Sequence, residues 1–250
     1  MIRRVRHWAL GAAAIVFACV AYAYLTLPDV RALATQNPTS TAFSELRARE
    51  ARADGKTPKH VQRWVAYRRI SPSLTRAVLV AEDAAFWQHD GVDYDELQKS
   101  IELDWARGQL TRGASTITQQ LAKNLYLSPS KNPLRKFREL IIARRLEAEL
   151  SKQRIFELYL NVIEWGDGIY GADAAAQAYF HKSAAALAPG EAALMAGAII
   201  NPRLMNPLKP TRRLNRRQQI ILRRMGDVTP PVARASAEEL AEEESQDEQK

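Results

Sequence analysis

The sequence predicts an all-α, mainly helical protein preceded by one N-terminal transmembrane helix. Apolar residues recur at helical spacing through most of the chain, as at Leu97, Ile101 and Trp105. No long stretch alternates apolar and polar residues, so we expect at most a small β-hairpin. A length of 250 residues suffices for one sizeable core or two small domains, and the ordinary apolar content excludes wholesale disorder.

Charge is distributed unevenly along the chain. The net charge is +8, but residues 227–250 hold eight acids and two bases, so the other 226 residues carry +14. Such a basic balance indicates nucleic acid, an anionic membrane surface or a phosphorylated substrate as partner. The acidic end is typical of a disordered tail. Cys19 is the only cysteine, which excludes a disulfide framework and a cysteine metal site.

The N-terminal segment resembles a membrane anchor. Residues 1–7 contain three arginines, and residues 8–27 carry no charge. Twenty helical residues span roughly 30 Å, the thickness of the bilayer core. Arginines before the span favour a cytoplasmic N-terminus and a periplasmic domain on the inner membrane. A signal peptide cleaved after Ala23 and a lipoprotein signal ending at Cys19 are the alternatives; an apolar stretch longer than a usual signal core favours the anchor.

The segment at 28–70 is rich in charge, and we interpret its first part as a membrane-proximal spacer followed by a helix over 42–52. Trp64, Tyr67 and Ile70 are spaced for packing on a core. The arginines of this stretch either face anionic head groups or form a solvated basic face; these are Arg63, Arg68 and Arg69.

The next predicted helix begins at Ser71-Pro72, a typical N-cap and first-turn pair, and ends in the motif EDAAFWQHDG at 82–91. Glu82 and Asp83 directly follow an apolar run, where burial disfavours the ionised carboxylate. A carboxyl group at the end of a buried helix, next to a polar loop, is suited to general-base catalysis. A helix end capped by charged residues is the alternative.

Polar residues also line the predicted helix of GASTITQQLAKNLYL, which follows a helix over 94–109. We expect Ser115 at its N-cap, with Ile117, Leu121 and Leu125 inward. The other face carries hydroxyl, amide and ammonium groups that suit a sugar or phosphate ligand, although solvent exposure explains them equally well. These groups belong to Thr116, Gln119, Gln120, Lys123 and Asn124.

A second charged cluster lies on the helix predicted over 134–151, where Arg135, Lys136 and Glu139 share one face. An exposed ion pair explains them, but a carboxylate between two cations also fits a site for a dianionic phosphate. We predict that this helix continues through 152–161 and is followed by a glycine-rich turn at 164–171 and a short helix over 173–180. An apolar helix is predicted over 189–200, either central and buried or touching the membrane. A basic helix is predicted over 211–225.

Five blocks in order resemble the peptidoglycan glycosyltransferases, family 51 of the glycosyltransferases. They are EDAAFWQHDG, GASTITQQLAKN, RKFRE, KQRIFELYLN with WGDGIYG, and AAAQAYF. Phe156 departs from the family's usual leucine and affects packing only. The resemblance covers about 71–225 and is closest to the monofunctional membrane-anchored members of Gram-negative bacteria. It implies a lysozyme-like helical domain with a small membrane-facing jaw lobe. The implied organisation is a cytoplasmic end at 1–7, an anchor at 8–27, a spacer at 28–70, the catalytic domain at 71–226 and a tail at 227–250.

The resemblance implies polymerisation of lipid II into glycan strands. Glu82 would take the proton of the acceptor's 4-hydroxyl, which attacks C1 of the lipid-linked donor with inversion and expels undecaprenyl diphosphate. Lys123, Arg135 and Lys136 would hold the diphosphate. Glu139 matches the family's second catalytic glutamate and would orient the donor or the cations. The remaining matches to site-lining positions are Asp83, Phe86, His89, Ser115, Thr116, Gln119, Gln120 and Asn124, with His89 also open to a purely structural role.

The resemblance also sets expectations for partners. No cofactor or metal is required, although a divalent cation bound with the diphosphate would stimulate the reaction. Expected partners are lipid II, the lipid-linked glycan strand, inner-membrane lipids and other cell-wall synthesis proteins, but not nucleic acid, because the basic domain lies outside the cytoplasm. Competing hypotheses are a lytic glycan hydrolase of similar fold and a non-enzymatic membrane-anchored cell-wall scaffold.

Overall fold

The computed structural model describes residues 25–107, 115–127 and 133–227, together with isolated positions between residues 7 and 22. Much of the predicted anchor at 8–27 and the acidic tail beyond residue 227 lie outside these residues. Within the described ranges, no helix is both long enough and apolar enough to cross a membrane.

The described chain is mainly helical, as predicted. The helices are α1 (Ala42–Ala53), α2 (Pro72–Glu82), α3 (Tyr94–Arg107), α4 (Ile117–Tyr126), α5 (Pro133–Glu149), α6 (Lys152–Val162), α7 (Ala172–Phe180), α8 (Pro189–Ala198) and α9 (Arg212–Arg224). Helices α2, α8 and α9 pack together on one side of the core, and α4 packs against α1, α5 and α6 on the other.

The core is built from the apolar faces of α2, α4 and α6. Leu74, Val78 and Leu79 of α2 are fully buried, as are Ile117 and Leu121 of α4. Helix α8 is the central buried helix, the first of its two predicted alternatives, and its alanines allow close approach of α2 and α9. Val30 and Leu33, in the predicted spacer, are buried in the same core, so this stretch packs on the domain.

A small sheet contains one strand more than predicted. Strands β2 (Glu164–Gly166) and β3 (Ile169–Tyr170) form the expected hairpin, and β1 (Val61–Gln62) pairs with β3 in parallel. A two-residue strand carries no readable periodicity, which explains why the sequence did not reveal it. In the predicted glycine-rich turn, Gly168 has a φ of +73°, and a Cβ there would lie 2.4 Å from Lys59 Cβ, so this position requires glycine.

Two predicted helix boundaries are wrong. Thr116, not Ser115, is the N-cap of α4, because the Thr116 hydroxyl accepts a hydrogen bond from the Gln119 amide. The helix predicted over 134–151 does not continue into the next one: α5 ends at Glu149, and Ser151 caps α6 by accepting from the Arg154 amide. In both places a side-chain oxygen binds the first free amides of a new helix.

Asp83 joins two helices that are distant in sequence. It is the C-cap residue of α2, and its carboxylate accepts hydrogen bonds from the Ile117 amide of α4 at 2.9 Å and from His89 Nε2 at 3.0 Å. Asp83 is buried, so water cannot replace these bonds. The end of α2 is therefore fixed beside the start of α4.

We expect Asp83→Ala to lower the free energy of unfolding by about 1–3 kcal/mol, because it leaves a buried amide and a buried imidazole without their acceptor. Thermal and urea unfolding of the purified protein, followed by circular dichroism, measures the change. Asp54→Ala is the matched control, since Asp54 is exposed and pairs only with Lys56. Equal stability of the two variants would contradict the role of Asp83.

Candidate active site

Glu82 is the last residue of α2 and lines a cavity of about 330 Å³. Asp83, Ser115 and Thr116 line the same cavity. They belong to the motifs at 82–91 and 113–127 and were predicted to line the site. Charged side chains from two other helices complete its wall. These are Glu96 and Lys99 of α3 and Arg224 of α9, together with Asp93 at the start of α3. The cavity therefore joins the predicted base to the start of α4 and to a basic helix.

Gln120 positions the Glu82 carboxylate. Gln120 Nε2 donates to Glu82 Oε2 at 3.0 Å, and the Tyr159 hydroxyl donates to Gln120 Oε1 at 3.0 Å. Because Tyr159 occupies the amide oxygen, the NH₂ group faces Glu82. Tyr159 is fully buried. The sequence analysis did not single out Tyr159, since its spacing is that of any inward-facing residue on α6.

Burial raises the pKa of the Glu82 carboxyl above its usual range, against the opposing effects of the Gln120 hydrogen bond and the charges of Arg217 and Lys123. Arg217 lies on α9, the predicted basic helix, and its Nε donates to the Gly197 carbonyl at 3.0 Å. A carboxylate with a raised pKa at the edge of a polar cavity is suited to accept a proton.

Glu139 is the centre of the second cluster. It is buried, and each carboxylate oxygen binds one cation: Arg135 Nη1 at 2.6 Å and Lys136 Nζ at 2.5 Å. Lys136 Nζ also donates to Ser115 Oγ and Gln119 Oε1, each at 3.2 Å. Lys136 therefore ties α5 to the first turn of α4, which also contributes to the Glu82 cavity.

Lys123 links the two clusters electrostatically. It is partly buried, and burial lowers the pKa of its ammonium group while the charges of Glu139 and Glu82 raise it. Gln120 Nε2 contacts both Glu82 Oε2 and the Ser115 carbonyl, and Lys136 Nζ donates to Ser115 Oγ. The Glu82 carboxylate and the Lys136 ammonium therefore both contact the start of α4.

Several predicted site residues support the site through internal contacts. The Thr116 hydroxyl donates to the Gly91 carbonyl at 2.7 Å, and Asn124 Nδ2 donates to the Gln120 carbonyl at 2.8 Å. His89 binds Asp83, which favours the structural role for this histidine. Asp83, His89 and Asp93 also offer potential metal-ligand atoms within 4.8 Å of one another, but the Asp83 oxygens already bind His89 and Ile117.

The prediction that Phe86 lines the site is wrong. Its side chain is fully buried and packs against Phe156, with ring centroids 5.4 Å apart. The Lys152 ammonium lies 4.4 Å from the centroid of the Phe86 ring. Phe86 therefore belongs to the packing beneath the site, because the short helix at Phe86–Gln88 turns the ring inward.

Comparison with known proteins identifies the family of this chain. The transglycosylase family model matches residues 50–226. The chain is 48% identical to a biosynthetic peptidoglycan transglycosylase of Dechloromonas aromatica over 76% of this chain and 82% of that protein. It is 46% identical to the protein of the same name from Laribacter hongkongensis, over 78% of this chain and 86% of that protein. The chain belongs to the transglycosylase family.

Proposed function

We propose that this chain polymerises lipid II into peptidoglycan glycan strands. The growing lipid-linked strand is the donor and lipid II is the acceptor. The observation that carries the proposal lies at the start of α4, where Glu82 binds Gln120 and Lys136 binds Ser115 and Gln119. Relatives named biosynthetic peptidoglycan transglycosylase, similar over most of the chain, support it.

In the proposed reaction, ionised Glu82 removes the proton of the acceptor's 4-hydroxyl as that oxygen attacks C1 of the donor. The C1–O bond to the diphosphate breaks on the opposite face of the sugar, so the configuration inverts. The proton ends on Glu82, and the electron pair leaves with undecaprenyl diphosphate. The raised pKa supports this role, because a stronger base accepts the proton more readily.

The cationic cluster supports binding of the leaving diphosphate, because preorganised charges stabilise negative charge that develops in the transition state. Glu139 holds Arg135 and Lys136 by both of its oxygens, so we assign it the orientation of these cations. The reaction requires no cofactor, since the base and the cations are side chains of the chain. A divalent cation bound with the diphosphate would stimulate it by adding positive charge.

We further propose that the domain has a lysozyme-like fold with α3 and its neighbourhood as the small membrane-facing jaw lobe. Tyr94 and Leu97 of α3 and Leu134 and Phe137 of α5 expose large apolar surfaces, which support contact with inner-membrane lipids. Residues 8–27 would anchor the chain, with the catalytic domain in the periplasm near other cell-wall synthesis proteins.

A lytic hydrolase or a scaffold would not need cations clustered beside the base.

A polymerisation assay on lipid II tests the proposed function, with finished peptidoglycan as the competing substrate and moenomycin, an inhibitor of the family, as a check. We expect polymer from lipid II, inhibition by moenomycin, and no fragments from peptidoglycan. Release of fragments without polymer would assign the chain to the hydrolases.

Glu82→Gln is expected to abolish polymerisation while the protein stays folded, because an amide cannot accept the proton. Initial rates of lipid II consumption measure the loss, and circular dichroism checks the fold. Glu102→Gln, on the exposed part of α3, is the matched control and should keep the normal rate. Near-normal polymerisation by Glu82→Gln would exclude Glu82 as the base.

The rate should fall at low pH as Glu82 becomes protonated, with a midpoint above that of an ordinary glutamate. The hydrogen bond from Gln120 favours the ionised carboxylate, so its removal raises the pKa further. We therefore expect Gln120→Leu to move the acidic limb of the pH–rate profile to higher pH. Gln98→Leu, at an exposed position of α3, is the control; identical profiles for the two variants would refute the assigned effect of Gln120.

Lys136→Ala should lower the polymerisation rate about 100-fold, equivalent to about 2.7 kcal/mol of transition-state stabilisation, if Lys136 meets the leaving diphosphate. Steady-state rates at several lipid II concentrations separate this loss from weaker binding. Lys56→Ala removes an exposed lysine outside the site and serves as control. A wild-type rate for Lys136→Ala would reduce Lys136 to a structural cation.

A further inference from the structure

Helix α9 presents an arginine face with no partner in the described residues. The exposed arginines that define this face are Arg212, Arg213, Arg216, Arg223 and Arg224. The helix contains six arginines and no acid. No ion pair or side-chain hydrogen bond joins these five side chains to the described part of the chain. The opposite side of α9 is fixed, because Leu214 and Ile221 are buried against the domain.

Repulsion between the like charges of this face destabilises the helix unless an anionic partner is present. Arg212 and Arg216 are four residues apart, and Arg213 and Arg216 are three apart, so their like charges lie side by side on the helix surface. Each such pair destabilises the helix, and the summed field attracts polyanions. The chain supplies a polyanion itself, directly after this helix.

We propose that the acidic segment at 228–250 docks on the arginine face of α9. The segment holds seven acids and two bases, and five of the acids fall in the run EELAEEE at 238–244. Its net charge of −5 complements the +6 of the helix. This inference goes beyond the proposed function and does not depend on it.

The length of the connection suits this contact. Ten residues at 228–237 separate the described helical stretch from the acidic run, and ten residues reach at most about 35 Å when fully extended. A helix of 13 residues is about 20 Å long, so this reach covers arginines at either end of α9. A tether of this kind gives an effective concentration in the millimolar range, which favours the chain's own segment over a dilute partner.

Disulfide trapping in the full chain tests the contact. In a Cys19→Ser background, thiols replace Gln219 on the exposed side of α9 and Gln246 in the acidic segment. The matched control pairs Gln246→Cys with Ser40→Cys, an exposed position outside the elements that pack against α9. In neutral detergent at low salt, we expect the α9 pair to form its disulfide at least 10-fold faster than the control pair, and 0.5 M NaCl to remove most of the difference.

Two charge variants show whether ion pairing causes the proximity. Replacing the five glutamates of the acidic run with glutamine keeps the tether length and should slow the α9 pair to the control rate. Replacing Arg212, Arg213 and Arg216 with glutamine removes charge from the helix and should also slow the α9 pair to the control rate. The test can therefore still be carried out if one of the two variants fails to fold. Equal rates for the two thiol pairs, or a fast rate that neither variant changes, would overturn the proposal and leave the arginine face to anionic lipid.

Discussion

The hydrogen bond from the Ile117 amide to the Asp83 carboxylate is the constraint on which the site depends. It joins the C-terminus of α2 to the N-terminus of α4, where the helix dipole favours a negative group. Glu82 and Gln120, 38 residues apart in sequence, meet because these two helix ends meet. The adjacent, partly buried bond from His89 to Asp83 holds the intervening loop, so the position of Glu82, the proposed base, is set by the fold.

Glu139 imposes a second constraint from the other side. A buried carboxylate needs partners that stabilise its charge, and Arg135 and Lys136 supply them to Glu139 from the preceding turn of the same helix. Lys136 then bonds to Ser115 and Gln119, which fixes α5 against α4. The cations are thus held in place before any anion binds, which is the condition for electrostatic stabilisation without reorganisation.

Local signals were enough to predict most helices and the charged residues of the site. Glu82, Lys136 and Glu139 stand in short motifs whose spacing is visible along the chain. Distant contacts were not predictable: Tyr159 bonds to Gln120 across 39 residues, β1 pairs with β3 across about a hundred, and Phe86 turns away from the site to pack on Phe156. Ser115 and Thr116 both carry a hydroxyl that could cap α4. The hydrogen bond from the Thr116 hydroxyl to the Gly91 carbonyl favours Thr116 as the N-cap.

Glu82 and Glu139 have different electrostatic surroundings, and the difference bears on how the proposed base keeps a raised pKa near cations. Unpaired cations would stabilise ionised Glu82 and lower its basicity. Arg135 and Lys136 are instead engaged by Glu139, while the charges of Arg217 and Lys123 oppose the rise in the pKa of Glu82. Burial lowers the pKa of the Lys123 ammonium, which limits the stability of its charge. Burial therefore keeps the pKa of Glu82 raised, while the cations paired with Glu139 leave positive charge near the place where a diphosphate would depart.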